Sequence, residues 1–232
     1  MKKIFLFLTL VIFSNPSFSQ WTSSTVPTIS GVNNIVAKGG NLFASTYTIG
    51  TAGGVVKSTD NGVTWSPVNN GLPNMEIRCL IVFGNAIYAG ADHSSSAQTG
   101  GVFKSVDDGA SWINSSTGLL ANDRIVVAFT TDGLSLFLSC LKEKVYKSDN
   151  GGQTWTSFHQ GLPSFASASS SNGLFVHKGN IFLSEGSTLG GRVWRRSVSG
   201  GANWTAVNTG GTGNDNEVRA FASLNSNLYC AS

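Results

Sequence analysis

An eight-residue motif of the form Ser-x-Asp-x-Gly-x-x-Trp recurs four times in this chain, and the repetition constrains the fold more than any other feature. Successive motif tryptophans are separated by 47, 43 and 49 residues. The residues that define the copies are Ser58, Asp60, Gly62 and Trp65; Ser105, Asp107, Gly109 and Trp112; Ser148, Asn150, Gly152 and Trp155; and Ser197, Gly201 and Trp204.

Short runs of β-branched and aromatic residues flank each motif. The runs that precede it are Val55-Val56-Lys57, Val102-Phe103-Lys104, Val145-Tyr146-Lys147 and Val193-Trp194-Arg195. Gly-Leu pairs beginning at Gly71, Gly118 and Gly161 follow three of the motifs, and two further apolar runs then lead to the next copy. Runs of this kind, bounded by glycine and asparagine, indicate strands.

Each repeat therefore predicts four short strands. A unit of about 40–50 residues with four strands is typical of a propeller blade. We predict an all-β fold, a β-propeller of four-stranded antiparallel blades, with four full blades and partial strands at both ends. The full blades are expected at roughly 32–71, 76–118, 123–161 and 172–210.

The motif itself is predicted to form the turn between the third and fourth strands of a blade. Gly62 supplies a positive φ without steric cost, and Asp60 can accept hydrogen bonds from backbone N–H groups ahead of it. Asn150 and Ser199 replace the aspartate in the last two copies, and both are short polar side chains. Turn closure explains this exchange better than catalysis or metal binding, because equivalent residues of successive blades lie far apart around a ring.

The four motifs resemble the Asp-box, or BNR repeat. This repeat occurs in sialidases, sortilin-type receptor domains, xyloglucan-degrading propellers and photosystem assembly-factor-like proteins. The resemblance extends from Trp21 to the C-terminus and implies a propeller from an exported bacterial protein. It does not imply one function, since the repeat serves enzymes and binding proteins alike.

Residues 1–19 have the features of a secretory signal peptide. Two lysines precede an apolar run at residues 4–13, and Ser17 and Ser19 are small residues at the −3 and −1 positions of a cleavage site. The apolar run is too short to span a bilayer. We therefore expect a propeller domain at residues 20–232, exported across the periplasm and located outside the cell or at its surface, without stable membrane insertion.

Composition narrows the partners. Only 12% of the residues are charged, the net charge is +3, and the lysines and arginines are scattered, which argues against nucleic-acid binding. His93, His159 and His177 have no metal-ligand spacing, and no phosphate-binding loop is present, so we predict neither a metal site nor a cofactor. The odd count of three cysteines implies no disulfide framework, and we expect each to be a buried apolar residue.

The two ends of the chain leave two interpretations open. The segment at residues 20–23 resembles the outer strand that follows a motif, and residues 217–230 resemble two inner strands. The first segment would complete the last blade of a five-bladed ring that lacks one strand. Alternatively, and in our preferred interpretation, the chain is part of a longer propeller with further blades and a C-terminal sorting domain.

Candidate binding residues lie in the connections between the second and third strands. These connections are long in three blades, and variable loops on a rigid scaffold commonly form binding sites. The candidates are Tyr47, Asp92, His93, Glu185 and Arg192. The alternative is that these side chains are solvated loop tips.

Two functional hypotheses follow. The first is a secreted, non-catalytic propeller that binds a glycan, peptide or protein, or serves as a structural module. The second is a fragment of a sialidase- or xyloglucanase-like glycoside hydrolase, which requires a facing pair of carboxylates. We favour the first, and assign no catalytic residue, because the chain lacks the Arg-Ile-Pro motif and an evident arginine trio of sialidases.

Overall fold

The computed structural model describes most of the chain beyond residue 30. The described residues are 31–47, 53–72, 76–92, 100–141, 144–163, 170–186, 192–207, 218 and 220–231. The predicted signal peptide, the predicted strand at residues 20–23 and His93 lie outside these ranges. Within them the protein is a β-propeller, as the repeat predicted.

Four four-stranded antiparallel sheets follow one another along the chain, and a two-stranded sheet follows them. Blade 1 contains β1 (Gly31–Lys38), β2 (Asn41–Tyr47), β3 (Gly54–Ser58) and β4 (Ser66–Pro67). Blade 2 contains β5 (Ile77–Phe83), β6 (Ala86–Ala91), β7 (Gly101–Ser105) and β8 (Ile113–Asn114). Blade 3 contains β9 (Val126–Thr131), β10 (Leu136–Cys140), β11 (Lys144–Ser148) and β12 (Thr156–Ser157). Blade 4 contains β13 (Ser170–His177), β14 (Asn180–Gly186), β15 (Arg192–Ser197) and β16 (Thr205–Val207). The last sheet pairs β17 (Ala220–Leu224) with β18 (Asn227–Ala231), and a short 3-10 helix (Ala121–Asp123) precedes β9.

The hydrophobic core lies between the blades. The second strands β6 and β10 are buried at every residue, because each sits in a sheet that is covered on both faces by its neighbours. Three apolar clusters result, one between blades 1 and 2, one between blades 2 and 3 and one between blades 3 and 4. Strands that alternate polar and apolar residues need only one covered face, so the continuous apolar runs of these second strands reflect burial from both sides.

The inner strands give the blades a common orientation. β1 packs on β5, β5 on β9, β9 on β13 and β13 on β17, so the first strands of successive blades are neighbours. Each first strand of the four full blades also contains a bulge opposite its second strand, with one unpaired residue: Asn33, Arg78, Val127 and Asn172. A bulge redirects the local side chains, and that of blade 2 falls on an arginine.

The burial prediction for the cysteines is right for two of them. Cys79 and Cys140 are buried between blades 2 and 3, and burial raises the pKa of both thiols. For Cys230 it is wrong, since this residue lies in β18 and is exposed. β18 is paired only with β17 among the described strands, so its sheet lacks the covering that the full blades provide.

Candidate functional site

The first repeat turn is closed mainly by hydrogen bonds of its own side chains. Ser58 Oγ accepts the Gly62 N–H at 2.8 Å and donates to Asp60 Oδ1 at 2.8 Å. Asp60 also accepts the Thr64 N–H at 2.8 Å and the Thr64 hydroxyl at 2.6 Å. Every carboxylate oxygen therefore has a partner within the turn, and Gly62 adopts the positive φ that the turn requires.

The second turn repeats these bonds with Asp107 and Ser111, and the third repeats them with an amide. Asn150 Oδ1 accepts the Ser148 hydroxyl and the Thr154 N–H, while Asn150 Nδ2 donates to Thr154 Oγ1 at 2.8 Å. The hydroxyl one residue before the tryptophan reverses its role from donor to acceptor. Sequence reasoning missed this serine or threonine, although it stands at the same place in three copies.

The fourth turn differs in register. Ser148 is paired with Leu136, but the corresponding partner Ile181 is paired with Arg196, so Ser197 lies one position further along. Ser197 and Ser199 share a hydroxyl–hydroxyl bond at 2.8 Å, and the described residues contain no bond from the Gly201 N–H to Ser197. The fourth copy thus keeps the motif spacing without the hydrogen bonds that close the other three turns.

Three of the four motif tryptophans, Trp112, Trp155 and Trp204, connect their blade to the one before it, whereas the Trp65 indole N–H donates to Gly62 O of its own turn at 3.0 Å. The indole N–H of Trp112 donates to Val68 O, that of Trp155 to Ser115 O and that of Trp204 to Phe158 O, each at 2.7 Å. The backbone N–H of each of these tryptophans also donates to the preceding blade. These indoles are at most 3% exposed, so the repeated tryptophan is a packing and hydrogen-bonding element.

The same contact between blades explains the glycine of the Gly-Leu pairs. A Cβ on Gly118 would lie 2.1 Å from Trp155 O, and one on Gly71 would lie 2.2 Å from Trp112 O. Both glycines also have a positive φ, which disfavours other residues. Glycine is therefore required where the chain leaving one blade touches the tryptophan of the next.

Hydrogen bonding also sets the charge of the two turn aspartates. It lowers the pKa of Asp60 from 3.8 to about 2, chiefly through the Thr64 side chain and backbone. The pKa of Asp107 falls to about 2 for the same reason, with Ser111 as the main donor. A carboxylate that stays ionised and has all its oxygens hydrogen-bonded is suited to stabilising a turn. It is not suited to general acid catalysis, which needs a protonated group near neutral pH.

The predicted binding residues lie at the other end of the strands. Tyr47 is the last residue of β2, Asp92 directly follows β6, and Glu185 is the penultimate residue of β14. Glu185 is paired across the sheet with Arg192, whose side chain is exposed. The structure thus brings Glu185 and Arg192 together and places Tyr47 and Asp92 at equivalent positions of blades 1 and 2.

Asp92 differs from the solvated loop tip that was the alternative expectation. It is 7% exposed, and its Oδ2 accepts both the Nε–H, at 2.7 Å, and the Nη2–H of Arg78. Glu76 Oε1 lies 3.8 Å from the same guanidinium, and the Asp92 N–H donates to Glu76 O at 2.9 Å. Arg78 is the bulge residue of β5, so the bulge directs the arginine side chain of an inner strand towards the buried Asp92 carboxylate.

A second polar cluster occupies the same end of blade 3. Tyr146 donates its hydroxyl to Asp123 Oδ2 at 2.6 Å, and burial, followed by this aspartate, raises the pKa of Tyr146. Arg124 follows directly, and its buried Nε has no hydrogen-bond partner among the described residues. Arg78 is the second residue of β5, and Arg124 lies between the 3-10 helix and the neighbouring inner strand β9. Neither was among the sequence candidates, because the signal lies in the blade register and not in a local motif.

Two negative findings apply to the described ranges only. No group of three or more histidine, cysteine, aspartate or glutamate side chains in them is arranged to hold a metal ion. The same ranges include no helix with the length and apolar character needed to cross a membrane.

These features define the class of the protein as a β-propeller whose blades are fastened through repeated turns and tryptophans. No protein-family model matches the chain, and no curated protein matches it. Solved structures do resemble it. YCF48 from Cyanidioschyzon merolae has a TM-score of 0.61 and 15% identity over 90% of this chain and 66% of that one.

A structure of YCF48 bound to D1 peptide has a TM-score of 0.64 and 13% identity, covering 92% of this chain and 66% of that one. The extracellular domain of the putative one component system BT4673 from B. thetaiotaomicron has a TM-score of 0.56 and 16% identity, covering 82% of this chain and 25% of that one. The chain therefore spans about two thirds or less of each of these neighbours. At such identities the likeness establishes the fold.

Proposed function

We propose that this protein is an exported, non-catalytic Asp-box propeller that binds a peptide segment of a partner protein. The ligand-binding surface is the loop end of the blades, where the Arg78–Asp92 pair lies at the end of β6. The observation that supports this most is the contrast between the two blade ends. At the turn end, Asp60 and Asp107 are saturated by their own turns.

The loop end has the chemistry of a recognition surface. Asp92 holds Arg78 in a fixed orientation while the Arg78 side chain remains 38% exposed, so the guanidinium is positioned and still accessible. A pre-oriented arginine loses less entropy on binding and presents paired donors to a carboxylate or a backbone carbonyl. The neighbouring structure bound to D1 peptide supports a peptide ligand, because it offers a precedent on the same fold.

A binding experiment separates peptide from glycan ligands. Purified, labelled chain is applied to an array of linear peptides and to a glycan array, and the strongest hits are measured in solution. We expect peptide hits. Replacing both Arg78 and Asp92 by alanine avoids a lone buried charge, and it should weaken those hits at least about tenfold.

The matched control is the double variant Asp60→Asn and Asp107→Asn at the turn end, which should bind like the original chain. Glycan hits without peptide hits would contradict the peptide ligand. Turnover of fluorogenic sialosides or β-glucans that is lost in Asp92→Asn or Glu185→Gln would contradict the non-catalytic proposal.

Export is tested separately. Expression of residues 1–232 in a bacterial host should yield a processed chain that begins at Gln20 outside the cytoplasm, as determined by intact mass. A chain that keeps residues 1–19 and stays in the cytoplasm would contradict it.

A further inference from the structure

One crevice between blades contains no ion pair of described residues, whereas the neighbouring crevices contain the Lys38–Asp108 and Lys147–Asp149 pairs. It lies between blades 2 and 3, beside the third repeat turn, is open to solvent and has a volume of about 290 Å³. Its wall is formed by Phe83, Ala86, Tyr88, Lys104, Val106 and Gly151. We call it the Lys104 crevice.

A lysine above an aromatic ring recurs in three blades. Lys57 stands over Phe43, Lys104 over Tyr88 and Lys147 over Phe137, with 5.4–5.7 Å from Nζ to the ring centroid. Each pair is a direct cross-strand pair of the second and third strands. The three sites thus share a cation and a ring and differ in their surroundings.

Carboxylates are present at the other two sites. Between blades 1 and 2, Lys38 forms an ion pair with Asp108 of the next turn. In blade 3, Lys147 Nζ lies 2.9 Å from Asp149 Oδ1. The residue that corresponds to Asp149 in blade 2 is Val106, and the one that corresponds to Asp108 in the third turn is Gly151. Lys104 therefore forms no ion pair with any described residue.

The Lys104 ammonium has one protein acceptor and room beyond it. Its Nζ donates to Gly151 O at 3.0 Å, and that carbonyl already accepts the Tyr88 hydroxyl at 2.7 Å. An ammonium has three donors, so further donors can meet a ligand. Val106 is 61% exposed and Ala86 is 5% exposed, which gives the crevice an open apolar side next to the charge.

We propose that the Lys104 crevice binds a small carboxylic acid with an aromatic or branched apolar body. The carboxylate of the ligand pairs with the Lys104 ammonium, which forms no ion pair with the described residues, and the apolar body contacts Phe83, Ala86 and Val106. A volume near 290 Å³ suits one ring or branched chain, at the small end of known ligand sites. This site is independent of the peptide surface proposed above, which lies at the other end of the strands.

Phenylacetate is the probe, and binding is followed by calorimetry and by amide chemical shifts of the full chain. We expect saturable binding with a dissociation constant on the order of 1 mM, as suits a ligand of about ten non-hydrogen atoms. Shifts should centre on Phe83, Val106 and Gly151. Neutral phenylacetamide should bind at least about tenfold more weakly, because the ammonium contributes a charge-assisted bond.

Two variants decide the role of the lysine. Val106→Asp recreates the Lys147–Asp149 arrangement beside Lys104, so it should keep the fold and lose phenylacetate binding. Lys104→Gln should weaken binding at least about tenfold, whereas Lys57→Gln, the matched control at the crevice already occupied by Lys38 and Asp108, should leave it unchanged. Equal binding of phenylacetate and phenylacetamide, undiminished binding to Lys104→Gln, or no saturable shift up to about 20 mM would overturn the proposal.

Discussion

The third and fourth repeat turns contain the same serine-to-tryptophan spacing, yet they are held in different ways. In the third, Ser148 and Asn150 close the turn with bonds to Gly152 and Thr154. In the fourth, Arg196 occupies the register position of that serine and reaches into blade 3. Both tryptophans nevertheless donate to the preceding blade. The tryptophan contact is thus common to these two turns, and the hydrogen bonds of the serine and asparagine side chains are one way to close the turn and not a requirement.

The largest effect is expected at the glycines on which the tryptophans rest. Gly118→Ala places a Cβ 2.1 Å from Trp155 O at a positive φ, so it should lower the free energy of unfolding by about 3 kcal/mol or more. Gly161→Ala places a Cβ 2.6 Å from Asn203 Cβ and 3.0 Å from the Trp204 backbone nitrogen, also at a positive φ, and should cost about 2 kcal/mol.

The control is Gly133→Ala, which has a positive φ but no atom within 4 Å of the added Cβ, and should cost about 1 kcal/mol. Urea unfolding measures all three variants. Equal losses at Gly118 and Gly133 would show that the contact with Trp155 contributes nothing.

Arg196→Ser tests whether the fourth turn is stabilised by the contacts of Arg196 or would be more stable with the serine of the other turns. Arg196 is 9% exposed, donates to Phe158 O at 2.7 Å and to Gln160 Oε1 at 2.8 Å, and lies over the Phe158 ring. Although the change restores serine at this register, it should lower the free energy of unfolding by about 2 kcal/mol, because it removes these contacts and leaves a cavity. A neutral or stabilising result would mean that serine can lock this turn as well.

Ser148→Ala measures the contribution of the serine hydrogen bonds to the stability of the third turn. The variant leaves the buried Gly152 N–H without its acceptor, so we expect a loss of about 1–2 kcal/mol in the free energy of unfolding. The corresponding Ser197→Ala should cost less than about 0.5 kcal/mol, since the Ser197 hydroxyl bonds only to Ser199 within the described turn. Similar losses in chemical denaturation would remove the distinction between the two turns.

The pH dependence of stability should separate the aspartate turns from the asparagine turn. The pKa of Asp60 and of Asp107 is about 2 in the folded protein, below the usual 3.8. Their ionised forms therefore stabilise the fold above pH 3.8, and this contribution is lost as the pH falls towards 2. In the double variant Asp60→Asn and Asp107→Asn, the melting temperature should depend less on pH between pH 4 and pH 2 than in the original chain. An unchanged pH dependence of the melting temperature would contradict the role of these bonds.

The sequence predicted the blades because the repeat spacing and the flanking apolar runs report local structure. It also predicted the turn and the glycine within it, since both depend on residues close together in the chain. It did not predict the register shift at Arg196, because the fourth copy retains the spacing and only strand pairing exposes the change.

The candidate site was predictable in position and not in chemistry. Asp92 was selected from the length of its loop, but its partner Arg78 is 14 residues away and is oriented by a bulge. Burial of Cys230 was expected from its apolar character, and its exposure follows from the small size of the β17–β18 sheet.

The central claim is that the repeat turns are scaffold for the blades and that peptide recognition occurs at the opposite, loop end. The most direct test compares peptide binding by Asp60→Asn with Asp107→Asn and by Arg78→Ala with Asp92→Ala, using the strongest array peptide and folded protein at neutral pH. We predict unchanged affinity for the turn variant and at least about tenfold weaker binding for the loop-end variant. Loss of binding in the turn variant, with the loop-end variant unaffected, would contradict the claim.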